Sequence, residues 1–113
     1  MSDERRARAV LVVEIEVAET DVGELNRWYD DKHVPERLAM PGFVSARRFT
    51  STEKPGRFLA VYELEGPEAA LSDQYMETAR SLETEWDRAV HATWLHMRRE
   101  VWTALDAPAA SER

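Results

Sequence analysis

The sequence predicts an α+β fold with the element order β-α-β-β-α-β, and three patterns in its 113 residues carry that prediction. Residues 9–17 are rich in β-branched side chains and end in strict alternation, which is typical of a half-buried strand. Residues 43–50 and 57–64 are two further strand-like runs separated by a Ser/Thr/Lys/Pro/Gly loop, which favours a hairpin. Residues 71–93 carry apolar side chains at three- and four-residue steps, which predicts a helix of about six turns.

Length and composition limit the classes of protein that fit. The chain has room for one domain, which we place at residues 9–105 between a polar lead-in at residues 1–8 and a disordered tail at residues 106–113. The absence of cysteine excludes a disulfide framework, a thiol nucleophile and a cysteine-based zinc site. A net charge of −7 argues against nucleic acid as a partner, and no apolar run approaches membrane-spanning length. We therefore expect a cytoplasmic protein that binds neither nucleic acid nor membrane.

The first helix is predicted to begin near Asp21 and to break at Pro35. Asp21 and the carboxylate three residues later resemble an N-terminal cap, and an apolar face follows at helical spacing up to Tyr29. Pro35 has no backbone N–H and would collide with the carbonyl four residues earlier, so an unbroken helix would cost roughly 3 kcal/mol. We expect a bend near His33 and a new short turn over residues 36–39. His33 would then lie at a helix C-terminus, where the dipole favours an imidazolium.

The second helical region is predicted to begin at Pro67, which suits a first helical position, and Ser72 could cap the helix again. The apolar stripe from Leu71 onward is the clearest helix signal in the chain. Residues 95–104 alternate less regularly and are predicted to form the last strand.

This element order corresponds to the ferredoxin-like arrangement, an antiparallel sheet of four strands with both helices on one face. The second face of such a sheet would carry Val10, Val12 and Trp102, with no helix left to cover them. We therefore expect a homodimer in which this face packs against the same face of a second copy.

Several motifs between residues 28 and 63 resemble a known family. They are Trp28-Tyr29, His33, Pro35, Pro41-Gly42-Phe43, Arg47-Arg48 and the strand at residues 57–63. Over residues 10–102 the chain resembles the EthD-like branch of the dimeric α/β-barrel superfamily. The resemblance implies two sheets joined into a barrel across a homodimer, and a pocket between sheet and helices with Tyr29 and His33 at its wall. It leaves the activity open, because this superfamily contains cofactor-free monooxygenases, polyketide cyclases, lactone isomerases and haem-handling proteins.

His33 is the first candidate for a catalytic residue. Tyr29 and His33 would share one face of a regular helix, and Asp30 could orient the imidazole, which would give a general base of near-neutral pKa beside a phenol. Alternatively, His33 closes the helix by donating to carbonyls that Pro35 leaves free, and Tyr29 is a core residue. The catalytic candidates are therefore His33, Tyr29 and Asp30, and the spacing leaves both interpretations open.

Five further side chains are candidates for substrate binding. They are Trp28, Arg47, Arg48, Tyr62 and Trp86. Arg47 and Arg48 are adjacent in a strand and must point to opposite faces. One of them is expected to pair with a sheet glutamate, and the other could hold a carboxylate or a phenolate. Trp28 could line an aromatic cavity or an interface, whereas Trp86 lies on the apolar stripe and suits packing.

We expect a small cofactor-independent enzyme of the lyase, isomerase or cyclase kind. His33 would remove a proton next to the carbonyl of a hydrophobic, aromatic or polyketide-like compound, and Tyr29 or an arginine would stabilise the enolate oxygen. A cofactor-free monooxygenase or haem-associated enzyme is one alternative, and a non-catalytic binding protein for a hydrophobic metabolite is another. No metal site is predicted, because His91 and His96 have no carboxylate at ligand spacing.

Overall fold

The computed structural model describes residues 7–105 and contains one sheet of four antiparallel strands. These strands are β1 (Ala9–Val17), β2 (Phe43–Thr50), β3 (Arg57–Leu64) and β4 (Trp94–Thr103). Their order across the sheet is β2-β3-β1-β4, and β1 pairs with both β3 and β4. This is the ferredoxin-like order, so the predicted fold class is confirmed.

One face of the sheet carries the core, and no helix within residues 7–105 covers the other. Leu11, Ile15 and Tyr62 point to the helical side and are at most 2% exposed. Val10 lies opposite Trp102 on the outer face, where Trp102 is 53% exposed. The outer face is therefore partly apolar, as the sequence predicts, and it also carries charged side chains such as Glu14 and Arg57.

Trp102→Glu is expected to convert a homodimer of this chain into a monomer. A stable interface on the outer face would bury on the order of 1,000 Å² or more, and a carboxylate in place of Trp102 would have to be desolvated there. Light scattering at micromolar concentration measures the molar mass. Leu71→Glu is the matched control, because Leu71 is also 53% exposed but lies among the helices. A wild-type protein that is already monomeric would contradict the prediction.

The first helical region does not break at Pro35, contrary to the sequence prediction. Helix α1 (Val22–Trp28) continues through a π-helical turn (Tyr29–His33) into α2 (Val34–Leu38), with right-handed helical backbone angles at each junction. The N–H of Val34 reaches the carbonyl of Tyr29 five residues earlier. Pro35 lies in the first turn of α2, where its missing N–H costs little. The wider turn changes the hydrogen-bonding register before the proline, so His33 is not at a free helix end.

The second helical region is three helices rather than one long helix. They are α3 (Glu68–Leu71), α4 (Asp73–Leu82) and α5 (Glu85–His91). The predicted cap at Ser72 is confirmed, because its side chain accepts a hydrogen bond from Tyr75 N. The predicted continuity through residue 84 is wrong. Thr84 forms a capping box with Asp87, and this local bonding starts a new helix where the apolar stripe alone suggested none.

The ends of the described part of the chain pair with the sheet. Arg8 N donates to the carbonyl of Leu64, and Ala104 N donates to the carbonyl of Arg8. Residues 1–6 of the predicted lead-in and the predicted disordered tail at 106–113 lie outside the described residues. No helix within residues 7–105 is long and apolar enough to cross a membrane.

Candidate active site

The π-helical turn determines which ring His33 contacts. Such a turn closes hydrogen bonds between residues five apart, so residues at that spacing come to lie over one another. Trp28 and His33 are five apart, and their rings stack with centroids 4.4 Å apart and an angle of 23°. Tyr29, the partner expected from a regular helix, meets His33 edge-on at 5.3 Å. The imidazole is thus held by Trp28, which is a core residue.

Trp28 is itself anchored by Asp87 of α5. The indole N–H of Trp28 donates to Asp87 Oδ1 at 2.9 Å, and Asp87 Oδ2 accepts from Thr84 N at 2.7 Å and lies 3.1 Å from Lys32 Nζ. Asp87 is only 5% exposed. Burial alone would raise the pKa of this carboxyl, but the bonds from Thr84, Trp28 and Lys32 outweigh it and hold the pKa near 2. Asp87 therefore ties α1 to α5 as a buried carboxylate.

His33 lies at the wall of a cleft of about 190 Å³ between α2, α4 and α5. The walls include His33, Arg37, Arg80, Leu82, Asp87 and His91. Neither ring nitrogen of His33 has a hydrogen-bond partner within residues 7–105. The helix-closing role considered for His33 is therefore wrong, because that role requires a bond to a free carbonyl.

The electrostatics of His33 also differ from those of a helix-end histidine. Burial, together with the nearby charge of Arg37, lowers the pKa of His33 to about 3. The imidazolium of a helix end and the near-neutral pKa of a solvated general base are therefore both absent. The imidazole is neutral at physiological pH.

The free energy of unfolding is expected to fall as the pH drops from 6.5 towards 3. Unfolded His33 takes up a proton near its ordinary pKa of 6.5 and folded His33 only near 3, so the unfolded chain holds more protons between these values. By about pH 4 the loss amounts to at most about 3 kcal/mol. Urea titrations at about pH 7, 5 and 4 measure it. His33→Phe should flatten this dependence, and equal slopes in the two proteins would contradict the prediction.

The other predicted catalytic residues are less well placed for contact with a ligand. Asp30 is exposed and forms no hydrogen bond with His33 within residues 7–105, so it does not orient the imidazole. Tyr29 is buried against His33, and burial raises its pKa to about 12, which keeps the phenol protonated. Tyr62 lies behind His33 with a ring separation of 6.3 Å, and its buried hydroxyl has no partner within the described residues.

The two adjacent arginines point to opposite faces, as predicted. Arg47 is on the outer face, 5.2 Å from the ring centroid of Phe49. Arg48 points to the helices, lies 4.0 Å from the ring centroid of Tyr29, and donates to Asn26 Oδ1 at 2.8 Å. Burial lowers the pKa of Arg48, and its Nε and Nη2 lack a partner within the described chain. Arg48 contacts the face of Tyr29 rather than the cleft.

The glutamates on the outer face pair with a different arginine from the two expected. Arg57 lies 3.0 Å from both Glu14 and Glu16, and neither Arg47 nor Arg48 forms an ion pair within residues 7–105. Trp86, the last predicted binding residue, donates to Glu24 Oε2 at 2.7 Å and is not in the walls of the cleft. No group of three or more His, Cys, Asp or Glu side chains in the described chain could hold a metal ion.

Solved structures share this fold. A dimeric ferredoxin-like protein from an uncultured marine organism has a TM-score of 0.72 at 11% identity, over 93% of this chain and 94% of that one. A monooxygenase from the gene ActVA-Orf6 of Streptomyces coelicolor, in complex with Nanaomycin D, has a TM-score of 0.69 at 17% identity, over 90% and 91%. SnoaB, a cofactor-independent oxygenase from Streptomyces nogalater, has a TM-score of 0.56 at 15% identity, over 88% and 94%.

Sequence comparison adds no closer relationship. No protein-family model matches the chain, and no curated protein matches it significantly. At identities of 11–17% the structural similarity establishes the ferredoxin-like fold, whose solved examples include a dimeric protein.

Proposed function

We propose that this chain is a small cofactor-independent enzyme in which His33 removes a proton from an aromatic or polyketide-like carbonyl compound. The proposal rests on the charge state and the position of the His33 imidazole. It is neutral, lies at the wall of an open cleft, has no hydrogen-bond partner within residues 7–105, and is held in one orientation by Trp28. A general base must be neutral and within reach when proton transfer begins.

The low pKa of His33 restricts the substrate. A base whose conjugate acid has a pKa of about 3 holds a proton weakly, so the proton it removes must be an acidic one. A CH₂ group flanked by aromatic rings and conjugated to a carbonyl is more acidic than an ordinary C–H group next to a carbonyl, and a cation beside the developing oxyanion lowers its pKa further. Arg37 is in the wall of the same cleft and its charge acts on His33, so it would stabilise the oxyanion that forms beside the imidazolium.

The size of the cleft also limits how the substrate binds. Its volume of about 190 Å³ is below the range of roughly 300–1,000 Å³ that is usual for small-molecule pockets. A ring system of two fused rings would fill it, and a third ring would stay partly exposed. The EthD-like resemblance is compatible with such a substrate but does not select one.

Oxygenation is the second candidate, and the fold similarity to two oxygenases favours it. A carbanion produced by His33 is electron-rich enough to react with O₂, which would be the co-substrate. Conversion of a CH₂ group into a carbonyl consumes one O₂ and releases one water, so that reaction needs no further reductant. Without O₂ the same carbanion is reprotonated at another atom or attacks a second carbonyl, as in an isomerase or a cyclase.

An anaerobic exchange experiment tests the shared first step. The probe is 1,8-dihydroxyanthrone, a tricyclic ketone with an acidic CH₂, and NMR in D₂O follows the loss of the CH₂ signal. We expect exchange to be faster than with free imidazole at the same concentration. After air is admitted, oxygen uptake faster than in an imidazole solution with the same exchange rate would indicate the oxygenase, and exchange without such an excess would indicate the isomerase or cyclase. Exchange no faster than with imidazole would contradict both.

A further inference from the structure

The charged side chains around the His33 cleft are unevenly paired. Each of its three carboxylates has a cation within 4 Å, and the pairs are Lys32 with Glu36, Lys32 with Asp87, and Arg88 with Glu83. The two arginines in the walls, Arg37 and Arg80, have no carboxylate at that distance within residues 7–105. Lys32 and Arg88 lie outside the walls, and within the walls Arg37 and Arg80 are the two charged side chains that have no counter-ion inside 4 Å in the described residues.

The two unpaired arginines are held differently. The guanidinium of Arg37 lies over the ring of Tyr75, 5.6 Å from its centroid, and its charge acts on His33. Arg80 is an exposed residue in the last turn of α4, and its guanidinium makes no hydrogen bond, ion pair or aromatic contact within the described chain. Its five N–H donors are therefore available to a ligand in the cleft.

We propose that Arg80 binds a carboxylate of the substrate, so that the substrate is an aromatic acid rather than a neutral ketone. This inference rests on the proposed function, because it assigns a second group of the same substrate. A guanidinium matches a carboxylate through two parallel N–H···O bonds. One carboxylate would pair with Arg80 and leave Arg37 for the oxyanion that forms next to His33. A cationic ligand would instead be repelled by both arginines.

A pair of bicyclic probes tests the carboxylate site by calorimetry at low ionic strength. We expect 2-naphthoate to bind at least about tenfold more tightly than 2-naphthamide, which has the same shape without the charge. Arg80→Gln should remove this preference. Arg98→Gln is the matched control, because it makes the same change in net charge on β4, where Arg98 pairs with Glu100 at 3.4 Å. Equal affinity of the two probes, or an unchanged preference in Arg80→Gln, would overturn the proposal.

A kinetic comparison separates binding from chemistry. With 1,8-dihydroxyanthrone bearing a ring carboxylate, Arg80→Gln should raise KM about tenfold or more and leave kcat for CH₂ exchange nearly unchanged. A fall in kcat with KM unchanged would overturn the assignment of Arg80. Binding of naphthoate involves no proton transfer, so it tests the carboxylate site separately from the chemistry. If the protein prefers naphthoate to naphthamide but does not accelerate CH₂ exchange, only the proposed function is refuted. Accelerated exchange without selectivity for naphthoate would refute only the carboxylate site.

Discussion

His33→Phe is expected to slow CH₂ exchange of 1,8-dihydroxyanthrone by about 10²-fold or more while the protein stays folded. Phenylalanine keeps a flat ring at the position where His33 stacks on Trp28 at 4.4 Å, but it has no nitrogen to accept a proton. A positioned general base typically contributes a factor of this size. The exchange rate is measured by NMR, and the folded fraction of the same sample by urea titration.

His96→Phe is the control for this substitution, since it removes a histidine from the outer face of the sheet, 3.8 Å from Glu14. It should leave the exchange rate unchanged. A His33→Phe protein with normal exchange would show that the cleft acts through another group. If the CH₂ exchange rate of His33→Phe falls only in proportion to the fraction of unfolded protein, the role of His33 is in packing.

Asp87→Ala is expected to lower the free energy of unfolding by about 3 kcal/mol or more. The substitution leaves the buried indole N–H of Trp28 without its acceptor and removes the capping box that starts α5. It also takes one of the two carboxylates from the largely buried Lys32. Each loss alone costs about 1–2 kcal/mol, and together they release the ring on which His33 is stacked.

Asp73→Ala is the matched control, because Asp73 is an exposed aspartate in the first turn of α4 with no side-chain bond in the described chain. Its effect should stay within about 0.5 kcal/mol. Asp87→Asn should fall between the two, because the amide oxygen can still accept from Trp28 but carries no charge. Equal stability of the Asp87→Ala and Asp73→Ala proteins would contradict the structural role of Asp87.

The sheet was predictable from the sequence, because the signals for strands are local. Alternation in residues 9–17 and the two runs around residues 51–56 reflect the period of two that a half-buried strand imposes on its side chains. The bounds of β1, β2 and β3 therefore agree with the predicted ranges. The helices were harder to predict, because an apolar stripe has the same spacing on both sides of the break at Thr84. The Thr-x-x-Asp pattern at Thr84 and Asp87 was the signal that could have revealed the break.

The candidate site was only partly predictable. The sequence identified His33 and its aromatic neighbours from their types and spacing on one short segment. The partners predicted for His33 were wrong, because the prediction assumed 3.6 residues per turn, whereas the chain forms a wider π-helical turn at this point. Arg37, Arg80 and His91 were not among the predicted site residues, since nothing in their local sequence distinguishes a cleft arginine or histidine from a solvated one.

The sequence by itself determined the strands, their order along the chain and the presence of one histidine among aromatic residues on the first helix. Only the tertiary structure decided that the imidazole of His33 is held through Trp28 and Asp87 rather than oriented by Asp30. Trp28 and Asp87 are 59 positions apart, and no periodicity links residues at that separation. The neutral state of His33 was likewise a tertiary result, because a pKa depends on the burial and charges that surround the ring in space, and these come from α2, α4 and α5 together.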